Sequence, residues 1–257
     1  MKKQPKISVI TVVYNGQDLI EGTIQSVINQ TYEPIEYLII DGKSKDKTVD
    51  IIKQYESNIT NWISESDKGL YDAMNKGLRL ATGNFVLFMN AGDQFSNHCV
   101  LETVFSKYDE KTDVLYGEVM MVDEQRQAIG TRTEITTRKL PQQLTWKSMK
   151  LGMVVCHQAF IPRRELCPFY INDNLSADID WVIEILKKSR KNVNCEIVIA
   201  DFLVGGVSKQ HHRQSLKDRY NVLQKHFGIV PNFFNHILII IRAVWFKISR
   251  IGKASYS

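Results

Sequence analysis

Short apolar runs alternate with amphipathic segments in residues 1–95, and this alternation constrains the fold more than any other feature. Residues 7–14 (ISVITVVY) form a continuous, largely β-branched run, which is typical of a strand buried on both faces. Residues 17–30 then carry apolar side chains at helical spacing. The same patterns predict further strands at 35–40, 62–63 and 85–89 and helices at 46–55 and 70–81. Such alternation predicts an α/β fold with a Rossmann-like, mainly parallel sheet flanked by helices.

Polar side chains follow the predicted strands at the points where the strands end. The carboxyl ends of parallel strands share one edge of the sheet, which is where ligands bind in folds of this type. Taken singly, each acidic residue has a structural explanation, such as a turn at Asp41 or a helix cap at Asp46. Together they favour a site for a diphosphate held through a divalent cation, because such cations prefer carboxylate oxygens. The candidates are Asn15, Asp41, Asp67 and residues 90–93.

The second half of the chain is less regular. Its patterns predict strands at 114–122, 153–161 and 196–200 and a helix at 178–190. No repeat or low-complexity linker separates the two halves, so we expect one continuous domain over 1–227. It would consist of a nucleotide-binding half, 1–95, and a mixed, acceptor-side half, 96–227.

The charge is divided unevenly along the chain. The net charge of +5 combines a balance of +10 from residue 187 onward with −5 in the rest. Nucleic-acid binding is not favoured, because the positive charge is interleaved with bulky aliphatic residues and no recognition motif is present. The four cysteines lack metal-ligand spacing, and the N-terminus does not resemble a signal peptide. We therefore expect a reducing, cytoplasmic location.

Residues 228–257 predict a basic amphipathic C-terminal helix. Eight apolar side chains, including Trp245, recur at helical spacing between 231 and 248, with basic residues around them. Such a helix can lie in an anionic membrane interface. Arg242 interrupts the apolar run, so a spanning helix is not predicted. The alternative is a helix packed on the catalytic body or on a second copy of the chain.

Three blocks of sequence resemble one enzyme family. The runs ISVITVVYNG, IIDGKSKDKT and SESDKGLYDAMNKGLRLATGNFVLFMNAGDQF are similar to family 2 glycosyltransferases of the GT-A fold, and most of all to bacterial enzymes of O-antigen and exopolysaccharide assembly. The resemblance covers about residues 6–208. It implies transfer of a sugar, with inversion, from a nucleoside-diphosphate donor, commonly a UDP-sugar. The expected acceptor is a saccharide or a polyprenyl-linked saccharide at the inner face of the cell membrane.

The resemblance also implies a set of donor contacts. Asp41 would accept a hydrogen bond from uracil, and Asp67 would lie near the ribose and base. Many relatives have Arg where this chain has Met74, and Lys76 is a substitute for that charge. The expected donor-binding residues are Val13, Tyr14, Asn15, Asp41, Asp67, Asn75, Lys76, Asn90, Ala91 and Gly92.

The loop from Asn90 to Asp93 occupies the place of the family's Asp-x-Asp metal motif. Asn90 and Gly92 stand where the two acids would be, and Asp93 is the remaining carboxylate. A bound Mg²⁺ or Mn²⁺ would offset the charge of the leaving diphosphate. With Asp93 as its one local carboxylate, we expect the ion to bind weakly without donor and mainly through the diphosphate.

Inverting transfer requires a base that takes the proton of the acceptor hydroxyl. The resemblance assigns this role to Asp178, with Asp180 as the second choice. Residues two apart on a helix do not share a face, so only one can point into the site. The structural alternative for Asp178 is an acidic residue that interacts favourably with a helix N-terminus.

Three further residues are candidates for acceptor or diphosphate contacts. His157 fits a contact with sugar and a place in the core equally well, and so does Trp181. Ser208 belongs to a late loop that the family places near the diphosphate. Two other function classes remain at this stage: a non-catalytic nucleotide-sugar-binding or scaffold protein, suggested by the altered metal motif, and a nucleotidyltransferase, which would need a Gly-rich basic loop near the start of the chain.

Overall fold

The first half of the chain forms a four-stranded parallel sheet. The structure, a computed structural model, describes residues 4–205 and 212–251. The strands follow the order β3-β2-β1-β4, and all pairs are parallel. All seven residues of β1 are buried, as its unbroken apolar run predicts. The strands are β1 (Ile7–Val13), β2 (Ile35–Asp41), β3 (Asn61–Ser64) and β4 (Phe85–Phe88).

Helices cover both faces of this sheet. Alternate side chains of a strand point to opposite faces, so Ile10 of β1 joins one core cluster and Val9 joins another. Helix α3 packs into the first cluster through Met74 and Leu78, and α1 packs into the second. The predicted parallel α/β architecture is confirmed. The helices of this half and its border are α1 (Ile20–Ile28), α2 (Thr48–Gln54), α3 (Leu70–Leu80) and α4 (Val100–Ser106).

The second half adds a mixed five-stranded sheet. Strand β6 pairs in parallel with β9 and antiparallel with β7 and β8, and β5 pairs with β9. A bridge between Phe85 and Arg163 connects the two sheets. The strands are β5 (Gln94–Phe95), β6 (Val114–Val122), β7 (Ala128–Thr131), β8 (Phe160–Pro162) and β9 (Asn192–Leu203).

Two strand predictions in this half need correction. The predicted strand at 153–161 is mostly irregular, and only Phe160–Pro162 pairs with β6. Its apolar residues reflect burial, since Val155 is fully buried, and the Met153 carbonyl bonds to the Arg132 side chain. Strand β9 begins earlier than predicted, because its polar residue Asn192 is aligned with Val114 of β6.

Four helices complete the second half, and the last of them has its apolar side outward. They are α5 (Arg132–Ile135), α6 (Ala177–Lys188), α7 (His212–Phe227) and α8 (Ile229–Ile251). Gly228, with φ of 85°, separates α7 from α8. Asn232 of α8 is buried against the protein, whereas Phe233 and Trp245 are 56% and 72% exposed. The apolar stripe therefore does not pack on the catalytic body, which removes one of the two alternatives to a membrane contact.

By length and composition, α8 is also able to cross a membrane. Its window Ile229–Phe246 has a mean hydropathy of 1.5, and only 6% of that window is buried in the protein.

Candidate active site

Loops that follow the parallel strands meet at one edge of the sheet, as predicted. The Asn15 N–H donates to Ser44 Oγ over 2.8 Å, and the Lys45 N–H donates to Asn15 Oδ1 over 2.8 Å. A Cβ built on Gly16 would lie 3.7 Å from the Cβ of Ala91. The loops after β1, β2 and β4 are therefore in contact with one another.

Asp41 lies beneath this edge rather than on it. The residue is fully buried. Its carboxylate accepts hydrogen bonds from the N–H and Oγ of Ser44, at 3.0 and 2.5 Å, and from Ser64 Oγ at 2.5 Å. In this arrangement Asp41 joins the loops after β2 and β3, and its bond to uracil stays a prediction.

Tyr14, Gly42 and Asp67 lie together at this edge next to Asp41, and we call the surface that these three residues form the recess. The Tyr14 ring, which follows β1, is 61% exposed. A Cβ built on Gly42 would lie 2.8 Å from Asp67 Oδ2 and 3.3 Å from Tyr14 Cδ2, so the absence of a side chain at Gly42 makes room for both. An exposed aromatic face next to a carboxylate can stack against a base and accept a hydrogen bond from it or from a ribose.

An ion pair closes one side of this recess. Lys76 of α3 places its Nζ 2.6 Å from Asp67 Oδ1 and 3.0 Å from Glu65 Oε1. Burial raises the pKa of Asp67. The predicted Lys76 charge is present at the recess, already paired with the carboxylates of Glu65, Asp67 and Asp72.

Asn75 is bonded to the second half of the protein. The residue is buried, and its side-chain amide donates to the Tyr170 carbonyl over 3.0 Å and accepts from the Tyr170 N–H over 2.7 Å. Asn75 therefore links α3 to the segment before α6, and its contact with the nucleotide stays a prediction. Met74, at the position where relatives carry Arg, is a core residue.

The loop from Asn90 to Asp93 is held from inside the protein. Asp93 is buried, and its two carboxylate oxygens accept hydrogen bonds from Gln158 Nε2 over 2.7 Å and from the Leu203 N–H over 3.1 Å. Burial raises the pKa of Asp93 to about 7. Gly92 has φ of 100°, a backbone conformation that favours glycine over the acid of the usual motif.

Asp178 lies in the first turn of α6, facing α3. Its side chain is partly exposed, and Oδ1 accepts the Ile179 N–H over 2.9 Å and lies 3.4 Å from the Tyr71 hydroxyl. Burial raises the pKa of Asp178. A carboxylate with a raised pKa at a partly open position is suited to accept a proton.

Asp180 points to the opposite side of α6. It is 5% exposed, and its Oδ1 lies 2.6 Å from His226 Nε2 and 2.7 Å from Lys225 Nζ. Both partners belong to α7, so Asp180 joins α6 to α7. The two carboxylates do not share a face, and this placement favours Asp178 over Asp180 as the predicted base.

A second group of side chains on α6 and α7 could hold a metal ion by residue type. It consists of Asp180, Glu184 and His226, whose potential ligand atoms all lie within 4.8 Å of one another. The Lys225 ammonium group lies 2.7 Å from Asp180 Oδ1, and the Lys187 ammonium group lies 2.7 Å from His226 Nδ1. These two cations supply the positive charge that a metal would bring, so we interpret the cluster as an ion-pair network.

His157 and Trp181 are core residues. His157 is buried, bonds through Nε2 to the Tyr170 hydroxyl, and has its pKa lowered to about 3 by burial. Trp181 is 1% exposed, and its Nε1 donates to the Pro168 carbonyl over 2.9 Å. Both rings are enclosed by protein side chains, which favours the core alternative over a contact with a sugar. Ser208 lies outside the described residues.

A family model identifies the family of the chain. Residues 8–167 match the family described as Glycosyl transferase family 2. The chain belongs to glycosyltransferase family 2. It is accordingly a glycosyltransferase, and the predicted family and activity are confirmed.

Two curated bacterial relatives illustrate the similarity. A PGL/p-HBAD biosynthesis glycosyltransferase of Mycobacterium bovis is 29% identical over 188 residues, which cover 70% of this glycosyltransferase and 69% of the relative. The putative teichuronic acid biosynthesis glycosyltransferase TuaG of Bacillus subtilis is 39% identical over 95 residues, or 36% of this chain and 38% of TuaG.

Solved structures agree on the GT-A fold. S. aureus TarS in complex with UDP-GlcNAc has a TM-score of 0.67 at 19% identity, over 84% of this chain and 64% of the TarS chain. The mannosyltransferase PcManGT from Pyrobaculum calidifontis, in complex with GDP-Man and Mn²⁺, has a TM-score of 0.69 at 17% identity, over 100% of this chain and 77% of its own.

Among the described residues, the loop from Asn90 to Asp93 offers few free ligand atoms to a metal ion. Both oxygens of Asp93 are occupied by protein donors, and Gly92 contributes no ligand. The Asn90 Oδ1 is buried and, within the described residues, has no hydrogen-bond partner. One neutral amide oxygen is a weak ligand for Mg²⁺ or Mn²⁺ compared with a pair of carboxylates.

Three residues that organise the glycosyltransferase site were missed by sequence reasoning. Gln158 holds Asp93, Tyr71 approaches Asp178, and Tyr170 connects Asn75, His157 and Trp181. Tyr71 had a detectable signal, since it lies one turn before Asn75 on a predicted helix. Gln158 and Tyr170 lie in irregular segments, where periodicity carries no information about contacts.

Proposed function

We propose that this glycosyltransferase moves a sugar from a UDP-sugar to a saccharide hydroxyl with inversion at the anomeric carbon. The observation that carries the proposal is the relation between the donor recess and Asp178. Helix α3 borders both: Lys76 pairs with Asp67 in the recess, and Tyr71 approaches Asp178. Five residues of helix span about 7.5 Å, which is suitable for a donor sugar placed between the recess and the base.

The proposed reaction needs one proton acceptor and one displacement. Asp178 takes the proton of the acceptor hydroxyl while that oxygen attacks the anomeric carbon from the face opposite to the diphosphate. The bond between the anomeric carbon and the phosphate oxygen breaks, and its electrons leave with UDP. The raised pKa of Asp178 brings its basicity closer to the operating pH, which favours general-base catalysis.

A divalent cation, in this proposal, arrives with the donor. TarS was crystallised with UDP-GlcNAc, and PcManGT was crystallised with GDP-Man and Mn²⁺. Both structures support a nucleotide-sugar donor for this enzyme, and the proposed cation is Mg²⁺ or Mn²⁺. The occupied oxygens of Asp93 argue against a preformed site. When bound, the cation would neutralise charge on the diphosphate.

We further propose a lipid-linked saccharide acceptor and a place on the inner face of the cell membrane, in surface-polysaccharide synthesis of the O-antigen or exopolysaccharide type. The outward apolar stripe of α8 supports the membrane contact, and the similarity to TuaG supports polysaccharide synthesis. The competing candidate is a weak or inactive nucleotide-sugar-binding scaffold, for which the buried Asp93 is the supporting observation.

Calorimetric titration of the full chain with UDP and GDP tests the donor part of this proposal. We expect UDP to bind more tightly, and Tyr14→Ala to weaken UDP binding by roughly tenfold through loss of one stacking partner. Phe169→Ala is the matched control, because that ring is also 60% exposed but contacts Arg79. A panel of UDP-sugars assayed for hydrolysis or transfer then identifies the sugar. UDP affinity equal in wild type and Tyr14→Ala would remove the recess from the proposal.

A further inference from the structure

Three arginines converge on one short stretch of backbone beside Asp178. Arg132 Nη2 donates to the Met153 carbonyl over 2.7 Å, and Arg138 Nη1 lies 3.5 Å from the same oxygen. Arg242 of α8 lies with its Nη2 3.5 Å from the Leu151 carbonyl. These contacts bring α8 and the α5 region together around residues 151–153.

A fourth arginine and one carboxylate complete the surroundings. Burial and the charges of Arg132, Arg219 and Arg242 lower the pKa of Arg138 to about 9, and the charge of Asp178 opposes them. We call Arg132, Arg138, Arg219 and Arg242 the arginine cluster. Among the described residues, 4–205 and 212–251, no member of the arginine cluster forms an ion pair with a carboxylate. Arg163, which lies outside the cluster, does form one, with Asp113.

Two members of the arginine cluster have unused hydrogen-bond donors. The Nε atoms of Arg219 and Arg242 are buried and, in the described part of the chain, have no hydrogen-bond partner. Burying several like charges with unpaired donors is unfavourable unless an anion compensates them. Arginine donors match the oxygens of a phosphate group particularly well.

The position of Arg242 indicates where such an anion comes from. Its helix, α8, turns a polar side with Asn232, His236 and Arg242 toward the protein and an apolar side with Phe233 and Trp245 outward. The arginine cluster therefore lies between an apolar outer surface and the candidate base. A lipid tail could follow the outer side of α8 while its charged head reached the cluster.

We propose that the arginine cluster binds the phosphate or diphosphate of a lipid-linked acceptor and thereby directs the acceptor sugar toward Asp178. This inference rests on the proposed function and identifies the acceptor class for the same site. It assigns Arg219 and Arg242 to acceptor recognition, separate from the donor recess around Tyr14 and Asp67.

The test is calorimetric binding of farnesyl diphosphate to the full chain in detergent micelles, with farnesol as the uncharged comparison. Arg219→Gln and Arg242→Gln should each weaken farnesyl diphosphate binding by about tenfold or more, the effect of one lost charge-assisted contact. UDP binding should stay within about twofold in both variants. Lys139→Gln and Arg213→Gln are matched controls, because both residues are exposed and lie outside the cluster.

Three of the four other outcomes overturn the proposal, and the fourth overturns the proposed function alone. Unchanged farnesyl diphosphate affinity in both variants would mean that the cluster binds no such anion. Loss of UDP binding in Arg219→Gln or Arg242→Gln, or displacement of farnesyl diphosphate from wild type by UDP, would mean that the arginines bind the donor. Equal, arginine-dependent binding to phosphatidylglycerol vesicles would assign them to bulk lipid headgroups. If wild type did not bind UDP but still bound farnesyl diphosphate through the arginines, the proposed function would be overturned. The anion-binding role of the cluster would then still be supported.

Discussion

At the scale of single residues, two carboxylates on the same helix have different surroundings. Asp178 faces Tyr71 at a partly open position, and burial raises its pKa. Asp180 is buried against Lys225 and His226 of α7. Burial alone would raise its pKa, but the hydrogen bonds from His226 and Lys225 lower it. A base that must take a proton near neutral pH matches the first environment, and a permanently charged link between helices matches the second.

The pH dependence of transfer should report Asp178. Its carboxylate acts as a base only when deprotonated, so the rate should fall at low pH with a midpoint above about 3.9, the ordinary value for Asp. Tyr71→Phe removes a hydroxyl that favours the charged form and should move this midpoint further up. Tyr55→Phe, which removes a hydroxyl bonded to Glu21 at the surface, is the control and should leave it in place. A midpoint that moves down in Tyr71→Phe contradicts the assignment.

The stability of the folded chain should carry a signature of Asp93. Because burial raises its pKa to about 7, the folded state binds a proton that the unfolded state has released above its own pKa of about 3.9. Asp93 is therefore expected to reduce the free energy of unfolding as the pH rises from about 4 to 7, by roughly 1.4 kcal/mol per unit of pKa difference.

Asp93→Asn isolates this effect. The amide stays neutral, accepts the Leu203 N–H, and can meet Gln158 once that side-chain amide is reversed. Urea unfolding at pH 5 and pH 8 should show wild type losing more stability than Asp93→Asn between the two values. An equal loss in both proteins would mean that Asp93 is already ionised in the folded state.

At the scale of elements, α8 has the reverse of the usual orientation of an amphipathic helix on a soluble protein. Its polar side faces the protein, where Asn232 Nδ2 donates to the Tyr220 carbonyl over 3.2 Å. Its outer side exposes eleven large apolar side chains. Continuous apolar surface of this kind marks a contact with a membrane or with another protein.

Charges placed on the outer side of α8 should release the protein from membranes. We expect wild type in the membrane fraction and Phe233→Glu/Trp245→Glu in the soluble fraction, because each glutamate would oppose insertion into an apolar, anionic interface. Lys217→Glu on α7 is a control for added negative charge, since that residue is exposed but lies off the apolar side. An unchanged distribution, together with dissociation of a dimer in the double variant, would assign the stripe to a second copy of the chain.

At the scale of the whole molecule, the sequence predicts the parallel half best. Residues 7–13 and 35–41 read as strands because both faces of each are buried, and their shared edge brought Asn15, Asp41 and Asp67 close together as expected. Burial depth could not be read from the same pattern. Asp41, Asp93 and His157 carry the residue types of a site, yet each is enclosed by partners that are distant in the chain, such as Ser64, Gln158 and Tyr170.

The sequence pattern is less informative about the mixed half. The segment 153–161 is apolar because it is buried, and apolar composition alone does not distinguish an irregular buried segment from a strand. The arginine cluster draws on α5, the segment after it, α7 and α8, so its members are spread from residue 132 to residue 242. Only the tertiary fold brings them to one place beside Asp178.

The most direct test of the account is UDP release by wild type, Asp178→Asn and Asp180→Asn in parallel. Each is incubated with UDP-Glc, UDP-Gal, UDP-GlcNAc or UDP-GalNAc, with and without Mn²⁺, and with membranes as the source of acceptor. We expect acceptor-dependent UDP release by wild type and by folded Asp180→Asn. Asp178→Asn should lose roughly 100-fold or more of the rate, the usual contribution of a general base, while binding UDP within a few-fold of wild type. Turnover retained in Asp178→Asn would contradict the account.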